Sequence, residues 1–283
     1  MHVDIGRRAT PGEWARIQPT PVQGVSLLRA HFVNHSFERH SHGEFCIGMT
    51  ASGRQTFRSR GALHTSTRGR IVVFNPDQAH DGHAGDAQGF GYTMLYLQPE
   101  VVAAAWGDSG ARHFKHAVID DPVCAQALGL ALQALQSSHE TLRAQALLDE
   151  AIAGLLGRHG QGEPGAAPQA AAAPWLERAR DFMHHCSARN IRVEELAGEA
   201  GVSRVHFTRS FAAAYGVPPH VYLNRLRIQA AQRCMAAGST LAEAALAAGF
   251  ADQSHLSRRF KGSVGVTPRA WLRQMKIASP CRS

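Results

Sequence analysis

Two short stretches of the chain concentrate side chains able to do chemistry. The first is FERHSHGEF, Phe37 to Phe45, where His40 and His42 stand one residue apart and Glu44 follows in the same alternation. Read as a strand, it sets two imidazoles and a carboxylate on one face, because strand side chains alternate with a period of two. NPDQAH, Asn75 to His80, adds a third imidazole after a strand-like run. Such a set can hold a small polar molecule or ligate iron, zinc or manganese. The second stretch is AGFADQSHLSRRFKG, Ala248 to Gly262. As a helix it buries Leu256 and Phe260 on one side and turns Ser254, Arg258 and Lys261 to the other, with His255 and Ser257 on the flanks. A face of donors and cations with no carboxylate suits a polyanion.

The second stretch belongs to an internal repeat. GVPPHVYL (Gly216 to Leu223) and GVTPRAWL (Gly265 to Leu272) align at an offset of 49 residues, which also matches Phe207 with Leu256, Arg209 with Arg258 and Phe211 with Phe260. Repetition at this length means one supersecondary unit used twice. Each copy reads as a short helix (VEELAGEA, then LAEAALAA), a turn at Gly201 or Gly249, and a second helix begun by Ser203 or Asp252. Glycine permits the sharp turn, Ser and Asp cap the helix that follows, and the layout is that of a helix-turn-helix. Between the copies, Pro219 to Ala237 is a continuous helical pattern. It spans about 27 Å at ~1.5 Å per residue, against ~34 Å between successive major grooves on one face of B-DNA. One chain can thus set two reading helices in neighbouring grooves.

The elements before the repeat are of another kind. FCIGMT (Phe45 to Thr50), RQTFRS (Arg54 to Ser59), RIVVFN (Arg70 to Asn75) and YTMLYL (Tyr92 to Leu97) are short strand-like runs between polar turns. They predict an antiparallel barrel or sandwich over about residues 20–98. Two helical patterns follow over 122–158. Their leucine stripe fits either a core or a dimer seam. HGQGEPGAAPQAAAAP, His159 to Pro174, has nothing large to bury and predicts a linker. The expected organisation is therefore 1–158, a linker at 159–174, and a helical domain at 175–283.

Charge changes at the same boundary. Residues 175–283 carry 16 Lys+Arg against 7 Asp+Glu, a net +9, whereas residues 1–174 come to −1. Only the last third is set to meet a polyanion. Without an apolar run of ~20 residues, a membrane-spanning helix is not expected, nor is a signal peptide at MHVDIGRRATPGEW. Cys46, Cys124, Cys186, Cys234 and Cys281 are odd in number and scattered. Free thiols in a reducing cytoplasm are the expected state.

The segment AGFADQSHLSRRFKGSVGVTPRAWL resembles the signature of the AraC/XylS family of bacterial transcription regulators, on Gly249, Phe250, Ser254, Leu256, Arg258, Phe260, Lys261, Gly265, Thr267 and Pro268. The H-x-H pair and the run from Gly69 to His80 resemble the cupin-type sensor barrel of the same family. The resemblance implies an α+β multidomain chain: a cupin-like β-barrel with a helical pair, then an all-α double helix-turn-helix domain. Base-reading positions carried over fall on Arg204, Val205, Thr208 and Arg209 in the first reader, and on Gln253, Ser254, His255, Ser257 and Arg258 in the second. By residue chemistry, Arg209 and Arg258 suit guanine, Gln253 adenine and Val205 a thymine methyl. Arg204, Arg259 and Lys261 suit phosphate, with an ion pair inside the helical domain as the alternative for Arg259.

The expected partners are double-stranded DNA, a small-molecule effector held by His40, His42, Glu44 and His80, with Phe57 and Tyr92 as walls, a second copy of the chain, and RNA polymerase. No catalytic residue and no cofactor are assigned. A metal on the same four residues ranks below effector binding, because Glu44 follows the second histidine by two residues rather than the four or five of cupin enzymes. His31, His35, His64 and His83 are expected as exposed strand or loop residues. The rival reading is a metal-dependent cupin enzyme fused to a DNA-binding module, and stoichiometric metal lost in His42→Ala would favour it. A third, a DNA-architectural protein with an inert front domain, predicts weak discrimination between duplexes.

Overall fold

The computed structural model describes residues 12–106, 112–136, 141–162 and 173–278. The front unit is built on β1 (Trp14–Pro19), β2 (Val25–Phe32), β3 (Phe37–His40), β4 (Phe45–Ser59), β5 (Ala62–Thr67), β6 (Ile71–Phe74), β7 (His80–Ala84) and β8 (Phe90–Leu97). After α1 (Pro99–Trp106) come β9 (Arg112–Phe114), β10 (Val118–Ile119), the helices α2 (Pro122–Ala134) and α3 (Thr141–His159), and β11 (Gly160–Gly162). The main path runs β1-β2-β8-β4-β6-β10, and β4 also pairs with β5 and β7. All of these pairings are antiparallel.

The runs FCIGMT and RQTFRS prove to be one strand. Phe45–Ser59 continues through Ala51–Gly53, with its register shifted between Thr50 and Ser52. Its first half pairs with β6 and β8 and its second with β5 and β7, so this strand folds the sheet into a roll. The faces alternate as period two requires. Leu27, Ile47, Leu95 and Leu97 pack with the helices, while Leu28, Phe32, Phe90, Tyr92 and Met94 point into the roll.

The leucine stripe is core. Leu128, Leu132, Leu135, Leu148, Ile152, Leu155 and Leu156 all join the cluster beneath the sheet's outer face. Asp121 fixes this pair of helices: its carboxylate accepts from the backbone of Val123 and Cys124 at 3.0 and 3.2 Å, from Arg158 Nε at 2.7 Å and from His159 Nε2 at 2.8 Å. Residues 159–162, expected to begin the linker, are instead the end of α3 and a strand against β9. Most of the expected linker lies outside the described residues. The four described cysteines, Cys46, Cys124, Cys186 and Cys234, are free thiols.

The back unit contains α4 (Pro174–His185), α5 (Val193–Glu199), α6 (Arg204–Tyr215), α7 (Pro219–Ala236), α8 (Leu241–Ala247), α9 (Gln253–Val264) and α10 (Pro268–Ala278). Helices α5/α6 and α8/α9 are the two copies of the repeat, and α7 joins them. Gly249 has φ +83°, and a Cβ there would come within 2.5 Å of the Ala188 carbonyl oxygen, so a side chain is excluded both by strain and by space. Ser203 accepts from His206 N and Asp252 from His255 N, the N-caps expected for both second helices.

The two copies are buried differently. Phe207 and Phe211 of the first lie in a cluster built almost wholly from the back unit. Leu256 and Phe260 of the second belong to one continuous cluster with Phe32, Phe90, Tyr92 and Met94 of the roll. The turn at Gly265 (φ +82°) sits against Phe32 and Phe37, whose ring atoms a Cβ would meet at 3.0–3.3 Å. The Gln274 side chain completes the seam, accepting from Ile17 N at 2.5 Å and donating to Ala15 O at 3.3 Å. The second reading unit therefore closes the mouth of the barrel.

Candidate nucleic-acid interface and effector site

The reading helices are anchored by apolar side chains and leave their polar faces outward. Phe207, Phe211, Leu256 and Phe260 are all fully buried. On α6, Arg204, Val205 and Arg209 are exposed and Thr208 half-buried; on α9, Gln253, Ser254 and Arg258 are exposed, with His255, Ser257 and Lys261 half-buried. Among the described residues neither Arg209 nor Arg258 has a hydrogen-bond or ion-pair partner. Both guanidiniums are free to take a base edge or a phosphate. Arg204 reaches Glu194 at 3.0 Å, an exposed, solvent-screened pair that is readily exchanged. The His255 ring stands edge-on to Phe250, 5.4 Å between centroids, which turns it toward the Gly249 turn.

Arg259 makes an ion pair, but not inside the helical domain as the alternative reading expected. Its Nη1 meets Glu38 Oε2 at 2.9 Å, an exposed ion pair that reaches across to β3 of the barrel rather than to a carboxylate of its own domain. A second ionic contact joins the units nearby. Arg225 of α7, 9% exposed, pairs with Asp77, and its guanidinium lies 4.4 Å from the Tyr222 ring centroid. Burial brings its pKa down to about 10, which leaves it charged at neutral pH.

His40, His42 and His80 come together inside the roll, with ring centroids 4.4–5.3 Å apart. His40 Nδ1 lies 2.6 Å from the Glu38 carbonyl and His80 Nδ1 2.9 Å from that of Gln78. His80 stacks on Phe74 at 3.7 Å, and Tyr96 meets His42 edge-on at 5.1 Å. Burial is the first cause depressing all three imidazoles, so they are neutral at pH 7.

Glu44 is not in this group. The strand expected to carry it ends at His40, and the bend at Gly43–Glu44 turns its side chain to a cleft between the units. Of the expected walls, Tyr92 lines the histidine cavity, while Phe57 stacks on His64. His31, His35 and His64 are half-buried rather than exposed, and burial takes His35 down to about 4.

The cleft has a volume of about 200 Å³. Ser41, His42, Glu44 and Tyr96 line it from the barrel; Arg225 and Ile228 of α7, Val264 of α9, and Trp271 and Met275 of α10 line it from the back unit. Two of its polar atoms are buried without a partner, Ser41 Oγ and Arg225 Nε. The sequence reading missed Arg225, Trp271, Glu38 and Gln274. Arg225 alone left a local signal, a cation three residues after Tyr222 and three before Ile228 at helical spacing.

A roll with a lined cleft, closed by one of two helix-turn-helix units, defines an effector-controlled DNA-binding transcription regulator. Comparison with known proteins agrees. Residues 22–152 match the AraC-like ligand binding domain and residues 196–274 a helix-turn-helix domain, so the chain joins an AraC-type ligand-binding domain to a helix-turn-helix domain. It is 23% identical over 248 residues to the HTH-type transcriptional regulator YbfI of Bacillus subtilis (strain 168), covering 86% of this chain and 90% of that one. Among solved structures it resembles the apo form of a ToxT variant from Vibrio cholerae strain SCE256, with a TM-score of 0.59 and 14% identity over 90% of this chain and 98% of the other. ToxT from the same strain bound to an unsaturated fatty acid gives a TM-score of 0.57 at 14% identity, covering 98% and 100%. At these identities the ToxT likeness shows the shared fold alone. Among the described residues, no helix is long and apolar enough to cross a membrane.

Proposed function

We propose that the effector binds in the cleft between the barrel and the second helix-turn-helix, and that its occupancy sets how that reading unit is held. The observation that carries this is that Ser41 of the barrel and Arg225 of α7 both line the cleft, and that Ser41 Oγ and Arg225 Nε are buried there without a partner in the protein. An unpartnered buried polar group costs ~1–3 kcal/mol, which a ligand bonding to both would relieve. A ligand that touches both units also has different affinities for the docked and released arrangements, the condition for control.

The lining indicates the ligand's class. Arg225 faces two carboxylates, Asp77 in contact and Glu44 close enough to raise its proton affinity, so its charge is already matched. The cleft therefore suits an uncharged molecule with donors and acceptors on one side and an apolar side for Ile228, Trp271 and Met275. The fatty acid of ToxT does not carry over on this reading, since a third carboxylate would be repelled.

DNA is read by Arg209 and Arg258, with Gln253, Ser254, Ser257, Thr208 and Val205 as further base-edge contacts and Arg204 and Lys261 on phosphates. The chain acts by binding rather than catalysis, in the cytoplasm. Exposed Val123, Leu130 and Leu142 on the outer helices support a homodimer, and RNA polymerase is the further partner.

A thermal-shift panel of neutral polyhydroxy and amide compounds against carboxylates tests the cleft. The expected result is stabilisation by members of the neutral set, reduced at least tenfold in affinity by Arg225→Gln and by Ser41→Ala. Stabilisation only by carboxylates, or equal binding by both variants, contradicts the assignment.

A further inference from the structure

The three histidines inside the roll carry an inference of their own. Each presents one ring nitrogen, and these nitrogens lie within 4.8 Å of one another. The tautomers follow from their backbone contacts. A carbonyl oxygen only accepts, so the nitrogens facing Glu38 O and Gln78 O are both N–H, and Nε2 of neutral His40 and His80 is a lone pair. His42 Nε2 stands 3.1 Å from His40 Nε2. Without an ion, His42 must donate from that nitrogen; in its other tautomer all three present lone pairs to one another. Imidazoles held by Nδ1–H to carbonyl bonds, with Nε2 directed inward, are the arrangement by which proteins orient metal ligands.

Distances agree with this. Zinc–nitrogen bonds of ~2.0–2.1 Å in a tetrahedron place ligand nitrogens about 3.3–3.4 Å apart. The His40–His42 separation of 3.1 Å is already close to that value, and the His80 nitrogen, within 4.8 Å of both, closes by at most about 1.5 Å to complete a three-nitrogen base. No carboxylate belongs to the set. Glu44 turns to the cleft, and Asp81, which lines the same cavity, accepts from Arg58 N at 2.6 Å. Three imidazoles without a carboxylate differ from the two-histidine, one-carboxylate set of non-haem iron oxygenases and suit zinc.

We propose that His40, His42 and His80 bind one zinc(II) ion, with its fourth position open. His42 and Tyr96 line both this cavity and the interdomain cleft, so the ion stands at the wall of the cleft. This site rests on the histidine geometry and not on the reading of the cleft.

The test uses the full chain, stripped with a chelator and then given zinc(II) alone or cobalt(II) alone. Expected are one equivalent of zinc retained through gel filtration, a rise in melting temperature with zinc, and visible cobalt absorption of a four-coordinate site. His42→Ala should lower zinc affinity by at least 100-fold, while His83→Ala, on the exposed face of the same strand as His80, leaves it unchanged. Should the His42 variant not fold, X-ray absorption of the zinc-loaded wild type decides, with imidazole scattering at ~2.0 Å expected. Substoichiometric uptake by the wild type, equal uptake by His42→Ala, or a zinc shell without imidazole overturns the proposal.

Discussion

Replacing Arg258 with alanine is expected to lower affinity for the specific duplex by about 5- to 150-fold, the ~1–3 kcal/mol of one bidentate guanine contact. Arg258 is exposed on α9, is unpartnered among the described residues, and is directed away from the buried Leu256 and Phe260. Its loss disturbs no packing, so the thermal melt should stay the same. Binding to a random duplex at the same salt should fall by much less, because non-specific affinity is summed over many phosphate contacts. Equal losses on both duplexes would make Arg258 a phosphate contact. Arg259→Ala is the internal control. That side chain is tied to Glu38, so its removal should spare specific binding.

The second large effect is on stability. Phe260→Ala removes a fully buried ring that stands edge-on to Trp271, 5.9 Å between centroids. A cavity of that kind costs ~3–5 kcal/mol, a substantial part of the ~5–15 kcal/mol that holds a typical domain together. Phe260 shares its cluster with Phe32 and Phe90 of the roll, so the damage should extend past the repeat. Calorimetry should show a lowered transition, and the contact between the second reader and the barrel should become protease-sensitive. Phe211→Ala, in the cluster of the first reader, should loosen that unit and leave the barrel transition in place. A Phe260→Ala protein that melts like the wild type would refute the shared core.

These outcomes separate what local pattern can reveal from what it cannot. Leu256, Phe260 and Arg258 were legible because helical periodicity sorts faces before any tertiary contact exists. The turns at Gly201 and Gly249 and the caps at Ser203 and Asp252 were legible because positive φ and N-cap acceptance are properties of single residue types. Strand β1 and helix α1 were missed, being short and weakly patterned. Strand β4 was read as two strands because Ala-Ser-Gly at its middle looks like a turn, whereas it is the point at which one strand changes partners. The histidines were found by spacing, but the strand that was to align Glu44 with them ends at His40. Glu38–Arg259 joins residues 221 apart in the chain, and Gln274 bonds to Ile17 across 257. Contacts of that range leave no periodic trace in the sequence, and they are what place the second reader on the barrel.

The claim underlying this account is that one chain reads two successive major grooves through α6 and α9. The direct measurement is a hydroxyl-radical footprint on a selected operator, with the number of bound chains counted independently. The account predicts two protected windows per chain on one face of the duplex, ~10–10.5 base pairs apart, the one beneath α9 weakening in Arg258→Ala. A single window per chain, or two that persist equally on random DNA, would contradict it.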